Sequence, residues 1–109
     1  MDPYQLADVS TALLDEAGAQ SARRAARTLT GGSGHALRQT AIALLEGSSL
    51  SDHESPGEAT LQVLVGRVRL SWSDSAVDLG TGGFVVVPQE RHGLLALTDA
   101  VVLLTAALT

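Results

Sequence analysis

The chain has no cysteine. That absence excludes thiol catalysis, cysteine-ligated zinc and disulfide staples. Positive charge is scarce, with seven basic residues against twelve acidic ones and a net charge of −5. Such a balance gives no broad attraction to phosphate backbones, so no nucleic-acid partner is expected. The start, "MDPYQLADVS", lacks a basic stretch followed by an apolar core. No uninterrupted apolar run approaches the ~18 residues of a membrane span, so no membrane partner is expected either, and the expected location is cytoplasmic. What remains is material for one domain. A chain of 109 residues buries roughly two thirds of the surface its unfolded form exposes, and needs neither disulfide nor metal to fold.

Leu6, Val9, Leu13 and Ala17 recur at helical spacing. They predict one amphipathic helix near residues 3–17, with Asp2 as N-cap, Pro3 at the first helical position, Gln5 three after the cap and Gly18 as the stop. The next segment, "SARRAARTLT", is helical by propensity. Even so, "GGSG" and the apolar run "ALRQTAIALLEG" after it favour two strands joined by a turn. The expected organisation is therefore residues 1–34, a helix and first strand packing on the outside, followed by a β-barrel over 35–109.

From Gly47 onward, "TLQVLVG", "RVRLSW", "AVDLG", "GFVVVP", "GLLAL" and "VVLLTAAL" are short strands bounded by glycine, proline or polar turns. That succession predicts an antiparallel sandwich or barrel. In "RVRLSW", Val68, Leu70 and Trp72 alternate with Arg67, Arg69 and Ser71, so one face is buried and the other wet. "FVVVP" and "VVLLTAAL" are apolar on both faces. Both faces then need cover, one from the barrel interior and the other from the helix or a second subunit, and a homodimer is expected.

Two stretches carry chemistry. In "GSSLSDHESPGEATLQVLVG", Gly47 is followed after five residues by His53 and later by Gly66; in "GGFVVVPQERH", Gly82 is followed after five residues by Pro88, and then by His92. This order and spacing, over about residues 36–107, resembles the small single-domain cupins, whose motifs are G-x5-H-x-H-x(3,4)-E-x6-G and G-x5-P followed shortly by H. The resemblance implies an all-β fold, a cupin-type antiparallel β-barrel or jelly-roll sandwich with one short N-terminal helix. It also implies a divalent metal, held at the barrel mouth by two histidines and a glutamate from one hairpin and a histidine from a later strand. The chain departs from that set. Ser55 takes the place of the second histidine, Ala59 that of the glutamate, and Gly83 stands where an aspartate is common.

On the resemblance, His53 and His92 are the surviving ligands. Glu58, one position before the family's glutamate, is a third candidate that would need a bulge to face inward. His35 and Gln39 on the preceding strand are others. Imidazole and carboxylate suit iron, manganese, zinc or nickel, and two imidazoles alone would hold any of them weakly. The ligand pocket is expected at Gln39, Ser55 and Trp72. Each residue also has an ordinary reading: mouth histidines bonded to each other, to Ser55 or to water; His35 in a turn; Trp72 in the core; Arg23, Arg24 and Arg27 on a solvated face near Asp15 and Glu16. Three functions follow. The favoured one is a barrel binding an unidentified small molecule beside a degenerate metal site. The others are a metal-dependent enzyme of isomerase or dioxygenase type, and a structural or interaction barrel filled by its own side chains.

Overall fold

The alternation read in "RVRLSW" is what the chain does: Val68 and Leu70 are buried while Arg69 is exposed. The structure, a computed structural model, describes residues 3–53 and 57–107, of which 51–53 by backbone alone. Among these residues one helix, α1 (Leu6–Gly18), is followed by nine strands: β1 (Arg24–Thr30), β2 (Leu37–Leu44), β3 (Ser49–His53), β4 (Ala59–Val65), β5 (Val68–Trp72), β6 (Ser75–Leu79), β7 (Phe84–Val86), β8 (His92–Ala96) and β9 (Ala100–Ala107). All pairings are antiparallel. They build a five-stranded sheet in the order β1-β2-β9-β4-β7 and a four-stranded sheet in the order β3-β8-β5-β6. This is a jelly-roll sandwich preceded by a short helix, as the resemblance implies. "SARRAARTLT" resolves to strand: β1 runs along β2 from Arg24 opposite Leu44 to Thr30 opposite Gln39.

Two apolar layers hold the elements. Between the sheets lies the main core, with Leu44, Leu61, Val63, Val68, Leu70, Leu94 and Val102 among its members. On the back of the five-stranded sheet, Val9, Leu13 and Ala17 of α1 press on Ala41, Ala43 and Val101. Consecutive side chains of a strand face opposite ways. On β9, Val101 therefore meets the helix while Val102 meets the opposite sheet, and both are fully buried. The helix thus covers the apolar back of β9, which corrects the reason given above for a homodimer. The most exposed large apolar side chains among the described residues lie elsewhere, at Phe84 and Val86 of β7.

The helix begins later than its sequence signals suggest. Gln5, extended at φ −95° and ψ 113°, occupies the N-cap position without a side-chain cap bond, and Asp8 is the acidic residue of the first turn. The proposed cap, Asp2, lies outside the described residues. Ser10 is buried in the helix interior because its hydroxyl donates to the Leu6 carbonyl at 2.7 Å. At the turn between β4 and β5, Gly66 has φ 87°, and a Cβ there would collide with the Asp99 carbonyl oxygen. Only glycine fits that crossing from one sheet to the other.

Candidate functional site

The second motif ends at His92, the first residue of β8. His92, Leu94 and Ala96 alternate toward the space between the sheets, and His92 is one of two buried polar residues among those described. Its ring is held by its own loop: Nδ1 lies 2.9 Å from the Glu90 carbonyl oxygen. A carbonyl only accepts, so Nδ1–H donates, and the neutral ring then carries its lone pair on Nε2. Glu90 is held in turn, since the Ser73 hydroxyl donates to its carboxylate at 2.7 Å. Ser73 sits at φ 47° in the β5–β6 turn. The turn thus fixes the loop, and the loop fixes the ring.

His92 forms part of the wall of a pocket in the main core, together with Ile42, Leu50, Leu61, Val87, Leu94 and Leu104. The cavity is about 30 Å³, room for on the order of one or two water molecules. Six of its seven lining residues are aliphatic, and none besides His92 is ionisable.

The histidine of the first motif has its backbone beside the same point. In β3, the Cα of His53 is registered directly opposite that of His92, and on the other side of β8 His92 is registered with Trp72 of β5. The backbone thus sets the two motif histidines side by side on neighbouring strands; the side chain of His53 and all of Ser55 lie outside the described residues. Trp72 is half-buried and packs against the main core, next to the pocket wall rather than within it.

Glu58 and Gln39 are not brought to the pocket. Glu58 is exposed and precedes Ala59, whose side chain, with those of Leu61 and Val63, belongs to the main core. Strand alternation leaves Glu58 on the other face, with its carbonyl accepting from the Ala107 amide at 3.0 Å. Gln39 shares the phase of Ala41 and Ala43, which lie under the helix. Its Nε2 donates to Thr105 Oγ1 at 3.2 Å on that outer face. His35 is exposed in the β1–β2 turn, its amide donating to the Gly32 carbonyl. Among the described residues, no three His, Asp or Glu side chains cluster as a metal would require. The described donors therefore do not make up a full ligand set.

The arginines near the chain start serve the chain itself. Arg23 and Arg24 donate to the carbonyls of Glu46 and Ser49, and Arg27 faces Glu16 at 3.9 Å. Sequence reasoning missed Glu90 as the group that orients His92, because the contact is made by its backbone carbonyl. It also missed the aliphatic wall, whose members look like any other core residues.

No family model matches the chain, and no curated protein matches it. Solved structures do. A conserved protein of unknown function from Streptococcus pyogenes superposes with a TM-score of 0.72 at 25% identity, covering 81% of this chain and 76% of its own. A cupin superfamily protein from Desulfitobacterium hafniense gives 0.72 at 17% identity, covering 79% of this chain and 78% of its own. An RmlC-like cupin from Desulfovibrio desulfuricans gives 0.67 at 24% identity, covering 77% and 81%.

Proposed function

We propose that this chain, a small cupin-domain protein by its fold, binds a small uncharged molecule whose apolar end enters the pocket beneath His92. The observation that carries this reading is the make-up of the wall, six aliphatic side chains and one oriented imidazole. Apolar pockets with a single placed polar group hold ligands by shape and orient them by that group. The wall offers no lysine or arginine to neutralise an anion, and burying an unpaired carboxylate or phosphate there would be costly. The cavity's size limits the buried part of the ligand to a few atoms. No reaction is assigned.

Methyl NMR spectra recorded with 1-butanol and with butanoate test the reading. Butanol should shift the methyl signals of Ile42, Leu61 and Leu104, butanoate should not, and Leu104→Phe, which fills the cavity, should abolish the response. Equal binding of the anion would overturn the proposal. So would silence toward every neutral probe, which would leave a barrel filled by its own side chains.

A second reading is favoured by the register of His53 with His92: a loosely held divalent ion of iron, manganese, zinc or nickel. Two imidazoles from neighbouring strands would hold such an ion weakly. Elemental analysis should find substoichiometric metal in the wild type and none in His53→Ala/His92→Ala. Equal metal in both proteins would place the ion elsewhere.

A further inference from the structure

Independently of the pocket, the edge of the five-stranded sheet exposes an apolar pair, Phe84 and Val86. β7 is its last strand, and β4 is the element that packs on it extensively among the described residues. The hydrogen bonds between the two alternate. The Gly83 carbonyl accepts from the Val63 amide, the Val87 amide donates to the Ala59 carbonyl, and Val85 lies opposite Leu61 between them. In an antiparallel ladder the intervening residues turn their peptide groups the other way. Those residues are Phe84 and Val86, opposite Gln62 and Thr60, so their N–H and C=O groups point off the sheet.

The same two residues carry the most exposed large apolar side chains among those described, Phe84 at 60% and Val86 at 66%, while Val85 and Val87 pack inward. Open strand edges are ordinarily blunted by charge, by a bulge or by a covering element. Here no charged residue occurs from Leu79 to Gln89. The residues registered beside the exposed pair on β4, Thr60 and Gln62, are uncharged as well.

We propose that β7 is the docking edge for a second copy of this chain, the two β7 strands pairing antiparallel about a two-fold axis. Their sheets then continue into one another, and Phe84 and Val86 of each copy meet on the shared outer face. The charge pattern selects a second copy. In a chain of net charge −5, most surfaces brought against themselves would repel, whereas this uncharged edge meets its own image without opposing like charges. A two-fold axis through the Val85 pair sets each Phe84 against the partner's Val86, an aromatic and β-branched pairing favourable in sheets.

Sedimentation velocity of the full chain over a micromolar concentration series, with two variants, tests the proposal. Val86→Lys sets a charge against the partner's Phe84 and a like charge diagonally across the axis, and Phe84→Pro removes an N–H that β4 does not use. The wild type should sediment as a dimer. Each variant should weaken association by roughly tenfold or more while keeping the wild-type melting temperature in dilute solution. Hydrogen exchange at Phe84 and Val86 should slow as wild-type concentration rises, with no such change at the opposite edge, β1. A wild type that stays monomeric throughout overturns the proposal. So does a dimer that both variants leave intact, or edge protection that appears only with a different protein added.

Discussion

The outer faces of the two sheets are built on opposite principles. Behind the four-stranded sheet, Arg69 and Asp78 lie opposite each other on β5 and β6 and join by two bonds of 2.7 and 3.1 Å, both side chains open to solvent. Behind the five-stranded sheet, Ala41, Ala43 and Val101 are sealed by α1, and past the helix the face ends in Phe84 and Val86. A sandwich needs one buried layer between its sheets. This chain adds a second, which lets β9 be apolar on both faces, while the four-stranded sheet needs only solvated polar groups on its back. The difference shows which part of the fold depends on the N-terminal segment.

The comparison breaks most readily at the helix. Leu13 is fully buried in the second layer, so Leu13→Ala should cost about 2–5 kcal/mol in denaturant unfolding. A loss below about 1 kcal/mol would mean that α1 merely shields the sheet. A smaller effect is expected where the chain crosses between the two sheets. Gly66→Ala combines a φ of 87° with a collision against the Asp99 carbonyl and should cost about 1–3 kcal/mol; a variant as stable as the wild type would show that the β4–β5 turn tolerates a shift.

The least effect belongs to the polar face. The hydrogen bond from Arg69 holds the Asp78 carboxyl below the usual carboxylate range. A lowered folded value means that any stability from the pair is present above the unfolded pKa of about 3.9 and fades as pH falls through the folded value. Asp78→Asn should therefore melt slightly below the wild type at neutral pH, and the gap should close in acid. Solvent exposure keeps that gap small, and thermal scans across the acid range would measure it. A gap that widened in acid would contradict the linkage.

Much of the fold was legible because strand alternation and turn glycines are local signals. Val68 and Leu70 announced a buried face, and Gly47, Gly66 and Gly82 all take positive φ at turns. The site was legible in part. His53 and His92 fall in register because the motif spacing fixes where β3 and β8 begin and end. Gln39 was hard to place because alternation separates two faces without saying which is inside, and β2 is apolar on both, with Ala41 under the helix and Ile42 in the core; Glu58, expected to need a bulge to face inward, precedes the core-facing Ala59 and stays exposed. The helix start was obscured because Asp2, Pro3 and Gln5 form a plausible capping sequence, while the chain enters the helix only after the extended Gln5. The role of Glu90 rests on a backbone carbonyl, which no side-chain pattern marks.

One feature of the sheet order bears on how the protein is made. β9 lies between β2 and β4 and hydrogen-bonds to both along nearly its whole length. During synthesis the helix and first eight strands emerge before it, yet the larger sheet is split down its middle until residues 100–107 clear the ribosome. Two half-sheets with open inner edges then wait at the exit tunnel, at about 5–20 residues added per second. Closure comes late, as one long-range event whose loop-closure cost falls on a single strand. A nascent-chain stall placed before Ala100 should therefore hold the domain open, and release past Ala107 should let it shut.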